Sequence, residues 1–199
     1  IAFGPPSIAM PAATPNSTAR LDDFVRSVYA GILPIDPGDD GSLESGAAIA
    51  PRPPTVIPAV AAERLAAWCD VFCETGVFTP AESRRILDAG VRHGLKPRIH
   101  ADELGPSGGS QVAAEVHARS ADHLIFVDES HARMLAEKNV VATLLPSAAF
   151  FLKLGRYAPA RMLIEQGTAV ALATDLNPGG GFTTSMPFVM SLACFGMNM

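Results

Sequence analysis

The sequence has 199 residues, of which 48% are hydrophobic and only 18% are charged. This is enough apolar material for one sizeable core, and the length predicts one domain or one and a half. A net charge of −5 argues against a nucleic-acid partner, and no apolar run is long enough to cross a bilayer. Three cysteines without a CxxC pair argue against a disulfide framework. We therefore expect a cytoplasmic protein whose partner is neither nucleic acid nor membrane.

Residues 1–60 differ in composition from the rest of the chain. They are rich in Pro, Gly, Ala and Ser, which predicts an irregular segment. Within it, residues 20–33 (RLDDFVRSVYAGIL) have apolar residues at nearly helical spacing and predict one amphipathic helix. The chain starts on Ile1 rather than Met, and its final segment, FVMSLACFGMNM, is interpreted as a helix with no stop residue after its last turn. We therefore expect an internal piece of a longer protein.

Residues 61–199 show a regular alternation of predicted strands and helices. The first helix has a strong start signal: Thr79 as N-cap, Pro80 at the first helical position and Glu82 completing a capping box. One helix is predicted in each gap between strands, which indicates parallel strands with helical crossovers. The strands are predicted at residues 68–74, 96–100, 121–127, 140–146 and 168–175. The helices are predicted at residues 79–94, 108–120, 129–139, 158–167 and 188–199.

The residues at the strand ends distinguish two α/β architectures. The predicted strands end at Glu74, His100, His123, Leu145 and Asp175, so four of the five ends carry an ionisable side chain. In a (β/α) barrel, catalytic residues lie at the carboxyl ends of several strands and point toward one axis. A nucleotide-binding doubly wound sheet would carry GxGxxG after its first strand, and the sequence has no such motif. The pattern predicts (β/α) barrel units.

Three of these strand ends could form a metal site. Strand alternation puts His100 and Asp102 on one side of a strand and Ile99 on the other, so the histidine is expected to face the barrel interior. His100, His123 and Asp175 together could bind Zn²⁺ or Fe²⁺ through nitrogen and oxygen atoms. An aspartate beside a metal-bound water can also accept its proton. The alternative is that the three are unrelated polar residues at strand ends.

The neighbouring loops contain further candidates. Glu103 could hold or protonate a substrate nitrogen, or it could be a solvated loop carboxylate. Glu74 could act directly or could simply end a strand. Amide donors for a substrate carboxylate or carbonyl could come from the loop that contains Asn177, Gly179, Gly180 and Gly181.

Several blocks of the sequence resemble the imidazolonepropionase family of the amidohydrolase superfamily. They are WCDVFCETGVFTPAESRRILDAGVRHGLKPRIHADE, SADHL, FFLKLGRYAPARMLIEQGTAVALATDLNPGG and TTSMPFVMSLACFGM, and they run from about Arg64 to Met199 in the order that the family has. The resemblance implies a TIM-like barrel with one Zn or Fe ion. It also implies hydrolysis of 4-imidazolone-5-propanoate to N-formimino-L-glutamate in histidine degradation, and it is compatible with a homodimer of the full-length enzyme.

The resemblance also implies roles for individual residues. His100 would be a metal ligand, and Asp175 would be both a ligand and the catalytic base. Glu103 would contact the imidazolone ring, and His123 would hold the hydrolytic water. Substrate contacts would come from the loop residues Asn177, Gly179 and Gly180.

The sequence also departs from the family pattern. The His-x-His pair expected on the first barrel strand is missing, because no histidine precedes His93. We therefore expect a partial barrel lacking the first strands, with strands four to eight in residues 61–199, an insertion at about residues 36–54, and no activity of the isolated piece. Two other functions remain open: another amidohydrolase, such as a purine or pyrimidine deaminase, and a non-catalytic barrel fragment.

Overall fold

A computed structural model describes residues 56–199 of the chain. The helix predicted at residues 20–33 and the irregular segment around it lie outside the described residues, so the domain division near residue 60 stays a prediction. Helix α1 (Val56–Ala62) belongs to a different compact unit from the one that residues 68–199 form. The rest of the fold concerns the unit formed by residues 68–199.

Five parallel strands form one sheet whose spatial order follows the chain. They are β1 (Trp68–Cys73), β2 (Lys96–Ala101), β3 (Ser120–His123), β4 (Val141–Leu144) and β5 (Val170–Leu172). The helices between and after them are α2 (Pro80–Arg92), α3 (Gly109–Glu115), α4 (Glu129–Glu137), α5 (Pro146–Phe151), α6 (Ala160–Glu165) and α7 (Met186–Met197). The predicted parallel alternation is confirmed. None of the helices that the structure describes is both long and apolar enough to span a bilayer.

Helix α2 begins with the capping box that the sequence predicts. The Thr79 hydroxyl accepts a hydrogen bond from the Glu82 amide at 3.3 Å, and the Glu82 carboxylate accepts one from the Thr79 amide at 2.8 Å. Pro80 occupies the first turn, where its missing N–H costs no hydrogen bond. The cap fixes where the chain leaves the β1 end and turns into α2.

Strand β3 ends at His123, which the sequence analysis gives as a strand end, and it is shorter than the predicted range 121–127 because its last residue turns out of the extended conformation. His123 and Leu124 have φ values of 73° and 55°, which lie in the left-handed region. The strand therefore stops at His123, although the Leu124 amide still donates to the Ala101 carbonyl at 3.0 Å. Residues 124–127, predicted as strand, lie outside β3.

Strands β4 and β5 also end early, and the terminal helix has a stop residue. Helix α5, which the sequence analysis did not predict, begins at Pro146, where proline favours a first helical turn. Strand β5 ends at Leu172, so Asp175 lies three residues beyond it. Helix α7 ends at Met197, and the next residue, Asn198, caps it in the left-handed conformation with a φ of 56°. The expectation that this segment has no stop residue was wrong, because asparagine tolerates that conformation well.

The two faces of the sheet have different chemistry. On β2, Ile99 and Ala101 are fully buried, while His100 between them is partly exposed on the opposite face. The buried face packs against the helices, and Gly109 of α3 approaches Ala101 so closely that no side chain would fit between them. The other face carries Asp70 beside the strand that holds His100. The predicted alternation of Ile99 and His100 is confirmed.

A glycine-to-alanine substitution tests how closely α3 packs on β2. A Cβ added at Gly109 would lie 2.7 Å from the Ala101 Cβ and 2.9 Å from its Cα. We expect Gly109→Ala to lower the free energy of unfolding by about 1–3 kcal/mol, because backbone must move to relieve the overlap. At Gly105 the nearest atom to an added Cβ is the Glu74 Oε1 at 3.9 Å, so Gly105→Ala is the matched control. Urea denaturation of both variants measures the difference, and equal effects would contradict the close packing.

Candidate functional site

Three residues chosen from the sequence converge at the carboxyl edge of the sheet. One ligand atom each from His100, His123 and Asp175 lies within 4.8 Å of the other two. The rings of the two histidines have centroids 5.4 Å apart. His100 comes from β2, His123 ends β3, and Asp175 follows β5, so parallel strand order alone brings them to one edge.

The donor set of this cluster fits a single transition-metal ion. Two imidazole nitrogens and a carboxylate oxygen are ligands that Zn²⁺ and Fe²⁺ both accept. His123 is 2% exposed, and within the described part of the chain its Nδ1 has no hydrogen-bond partner. A buried nitrogen without a partner is costly in a site meant only for packing, and a bound ligand or water would remove that cost.

A second group of possible ligands shares His100 but is already neutralised. Atoms of Asp70, His100 and Asp122 also lie within 4.8 Å of one another. Asp122 accepts a hydrogen bond from Arg98 Nη2 at 2.8 Å, so a guanidinium already supplies the positive charge there. Asp70 Oδ1 lies 3.1 Å from His100 Nδ1, a contact that fixes the orientation of the ring. Asp70 therefore orients His100, whereas Asp122 is paired with Arg98.

The two histidines have opposite electrostatic environments. Burial opposes protonation of His100, but the nearby carboxylates of Asp70, Asp122 and Asp175 outweigh it and raise its pKa to about 9. Burial and the neighbouring His100 lower the pKa of His123 to about 3. Near neutral pH, the ring of His100 is therefore protonated and the ring of His123 is neutral.

Glu103 is buried beside His123. Its carboxyl Oε1 lies 3.4 Å from the His123 Nδ1, and the side chain is 8% exposed. Burial and the charge of Asp175 raise the pKa of Glu103 to about 7, although His100 acts in the opposite direction. The alternative of a solvated loop carboxylate is wrong, because the side chain is almost fully buried.

Asp102 has a structural role that strand alternation did not predict. Its φ of 51° is left-handed, and its carboxylate turns into the loop that follows β2. There it accepts hydrogen bonds from the amides of Ser107 at 2.8 Å, Gly108 at 2.9 Å and Ser110 at 2.9 Å. The expectation that Asp102 shares the His100 side is therefore wrong, since the backbone turn breaks the alternation.

Glu74 has a role that neither sequence interpretation described. Its side chain is buried, and its Oε2 accepts hydrogen bonds from the amides of Glu103 at 3.1 Å and Leu104 at 2.9 Å. It therefore binds the backbone of the loop that presents Glu103. In the sequence, Glu74 is only a charged residue at the end of a predicted strand. No local pattern indicates which backbone amides will donate hydrogen bonds to its carboxylate.

The loop after β5 holds Asp175 through its own hydrogen bonds. Asn177 Nδ2 donates to Asp175 Oδ1 at 2.8 Å, and the Gly179 amide donates to Asn177 Oδ1 at 2.7 Å. The Gly180 amide donates to the Asn177 carbonyl at 3.3 Å, and the Gly181 amide to the Asp175 carbonyl at 2.9 Å. A Cβ at Gly180 would lie 2.2 Å from Asp175 Oδ2, so only glycine leaves that carboxylate in place. Burial raises the pKa of Asp175, and His100 opposes the rise.

Comparison with known sequences confirms the resemblance to imidazolonepropionases. Over 144 residues, which are 72% of the chain, it is 56% identical to the imidazolonepropionases of Geobacillus thermodenitrificans and Shouchella clausii. It is 53% identical to that of Brevibacillus brevis over the same length. The chain spans only 34%, 32% and 34% of these three relatives. No protein-family model matches the chain.

Comparison with solved structures confirms the fold. Ochratoxinase from A. niger superposes with a TM-score of 0.55 at 19% identity, covering 81% of this chain and 47% of that one. An adenosine deaminase from Xanthomonas campestris with bound Zn superposes with a TM-score of 0.52 at 15% identity, covering 65% and 32%. At such identities the likeness concerns the fold alone. The predicted α/β class, with parallel strands connected by helices as in part of a (β/α) barrel, is confirmed.

The electrostatics of His100 can be measured on the metal-free chain. We expect its ring to titrate near pH 9. Because this lies above the ordinary value of 6.5, the protonated ring stabilises the fold fully below pH 6.5, and the contribution is lost as the pH rises through about 9. Asp70→Asn removes the carboxylate at 3.1 Å and should lower the pKa. Ring chemical shifts from NMR measure both, and a pKa that Asp70→Asn leaves unchanged would contradict this contact.

Proposed function

We propose that this chain carries part of the active site of a metal-dependent hydrolase that converts 4-imidazolone-5-propanoate to N-formimino-L-glutamate in histidine degradation. The observation that supports this most strongly is the convergence of His100, His123 and Asp175 within a chain 56% identical to imidazolonepropionases over 144 residues. The substrate is a small cyclic amide, and the reaction adds water to its carbonyl and breaks the C–N bond of the ring.

One Zn or Fe ion is part of this proposal, with His100 and Asp175 as its ligands from this chain. A bound ion would polarise the ring carbonyl and lower the pKa of a water molecule toward neutrality. Asp70 would hold the His100 ring in a fixed orientation through the contact at 3.1 Å. The concentration of carboxylates that raises the pKa of His100 supports this site, because the same field favours a metal cation.

Asp175 and His123 would prepare the attacking water. The Asp175 carboxylate, oriented by the amide of Asn177, would accept the proton that the water loses. His123 is neutral at ordinary pH because burial and His100 lower its pKa to about 3. A neutral imidazole can accept a hydrogen bond from water and hold it in line with the carbonyl.

Glu103 would donate the proton that the departing ring nitrogen needs. A carboxyl group with a pKa of about 7 is protonated in a large fraction of molecules near neutral pH, so it can act as a general acid. Its position 3.4 Å from His123 places it beside the residue proposed to hold the water. Two neighbouring side chains would thus share the work: His123 would hold the water, and Glu103 would protonate the ring nitrogen.

The loop after Asp175 is proposed to contact the substrate. Asn177 donates a hydrogen bond to the Asp175 carboxylate, and Gly179 and Gly180 lie against Asn177 and Asp175, so all three residues are close to the proposed reaction centre. A cytoplasmic location and a homodimer of the complete enzyme also belong to the proposal, by the resemblance to imidazolonepropionases.

A hybrid enzyme tests the function. The matched 144 residues of this chain would replace their counterparts in the Geobacillus thermodenitrificans imidazolonepropionase. We expect this hybrid to hydrolyse 4-imidazolone-5-propanoate, and Asp175→Asn to abolish the reaction. Turnover of guanine or cytosine in its place would favour a deaminase. A folded, metal-loaded hybrid that acts on none of these compounds would favour the non-catalytic alternative.

Replacing Glu103 tests its role as the acid. We expect Glu103→Gln to lower kcat of the hybrid by about 10²–10⁴-fold, because an amide cannot donate the proton at the required acidity. Glu115→Gln is the control, since Glu115 pairs with Arg84 on the surface at 2.7 Å, away from the site. Equal activity of the two variants would remove Glu103 from the mechanism.

Replacing Gly180 tests the placement of Asp175. The added methyl group of Gly180→Ala would overlap Asp175 Oδ2, whereas Gly179→Ala would come no closer than 3.3 Å to Asn177 Oδ1. We expect Gly180→Ala to weaken Zn²⁺ binding by about 10–100-fold and Gly179→Ala to weaken it less. Competition with a chromophoric chelator measures both affinities in the hybrid. Identical affinities would show that Asp175 is not a ligand.

A further inference from the structure

We propose that Glu74 is a positioning residue for Glu103: its buried carboxylate holds the Glu103 backbone so that the Glu103 carboxyl group faces His123. Glu74 would not touch the substrate. This inference rests on the proposed function for its kinetic consequence, while the contact itself can be tested without any activity.

The Glu74 carboxylate is fixed at both of its oxygens. Oε2 accepts the amides of Glu103 and Leu104, and Oε1 accepts the amide of Thr75 at 2.9 Å. The Glu74 backbone is itself held, because its amide donates to the Phe78 carbonyl at 3.1 Å and its carbonyl accepts from Val77 at 2.9 Å. Glu74 is 2% exposed. A buried carboxylate that accepts three amide hydrogen bonds is a rigid anchor.

The far end of the same loop is held to the end of β1 as well. The Ser107 hydroxyl donates to the Cys73 carbonyl at 2.8 Å, and the Ser107 amide donates to Asp102 Oδ1. Residues 102–107 are therefore tied at two points to the chain at Cys73 and Glu74. Glu103 lies within this tied segment and directs its carboxyl group to His123 at 3.4 Å.

Removing Glu74 would free the segment at the place where Glu103 is attached. The amide of Glu103 in a buried position and the amide of Leu104 in a partly buried one would lose their acceptor, and the backbone would shift to reach water or another carbonyl. Misplacement of a catalytic group by about 1 Å can lower a rate by 10². The effect should therefore appear in kcat, since Glu103 is proposed to act in the transition state.

Two substitutions of Glu74 separate positioning from charge. In the hybrid enzyme, Glu74→Ala should lower kcat by about tenfold or more, with a smaller change in KM. Glu74→Gln keeps a carbonyl oxygen that can accept the amides of Glu103 and Leu104, so it should restore kcat to within about threefold of the unsubstituted hybrid. Circular dichroism establishes that each variant is folded. A folded Glu74→Ala variant with unchanged kcat would overturn the inference.

A double substitution shows whether Glu74 acts through Glu103. If it does, Glu74→Ala added to Glu103→Gln should lower kcat by less than about threefold further, because the group being positioned is already absent. If the two losses multiply, Glu74 acts independently and the inference fails.

Amide hydrogen exchange in the 199-residue chain tests the contact separately from the function. We expect Glu74→Ala to accelerate exchange at Glu103 and Leu104 by about tenfold or more, and Glu74→Gln to leave it closer to the original rate. Glu115→Ala, which removes a surface carboxylate, is the matched control. If Glu74→Ala accelerates exchange in the chain but the hybrid enzyme is inactive, the contact between Glu74 and the loop is supported and only the proposed reaction is rejected. If Glu74→Ala leaves the exchange rates unchanged, the contact itself is rejected.

Discussion

Parallel strands bring several carboxylates to one edge of this sheet, and each buried carboxylate needs compensation for the water it loses. Glu74 and Asp102 are compensated by backbone amides, which ties both carboxylates to the loop that follows β2. Asp122 is compensated by Arg98 at 2.8 Å. Within residues 56–199, Asp175 accepts a side-chain hydrogen bond from Asn177, so it keeps capacity for a further partner. Some of these acids are thus satisfied by loop backbone or by arginine, whereas Asp175 can still accept from a bound ligand.

The negative charge of the carboxylates around His100 is balanced by the protonated ring of His100. The protonation of His100 therefore affects the protonation of its neighbours His123 and Glu103. The carboxylates of Asp70, Asp122 and Asp175 raise the pKa of His100 to about 9 against the effect of burial, whereas burial and the charge of His100 together lower the pKa of His123 to about 3. Two of these residues also act on Glu103: the negative charge of Asp175 raises the pKa of Glu103, and the positive charge of His100 lowers it. A metal ion bound at His100 would take the place of the proton.

The sequence predicted those features that depend on regular backbone. Strand alternation placed Ile99 among the helices and His100 on the opposite face, and the capping box at Thr79 began α2 where expected. Alternation failed for Asp102, because one left-handed residue reverses the direction of the side chains that follow. The early end of β3 has the same cause, at His123. Aspartate and histidine adopt the left-handed region more often than most non-glycine residues, but this preference is too weak to predict a turn at one particular position.

The left-handed residues also show where the fold accepts strain. Asp102, His123 and Asp175 have φ values of 51°, 73° and 53°, and each lies at the end of a strand or just beyond it. A non-glycine residue in this region costs about 1–2 kcal/mol, which glycine would avoid. Asp102 offsets that cost through three amide hydrogen bonds, whereas His123 has no hydrogen bond at Nδ1 within residues 56–199. The strain at His123 is therefore not offset by a hydrogen bond at Nδ1, which agrees with the proposal that this side chain holds the hydrolytic water.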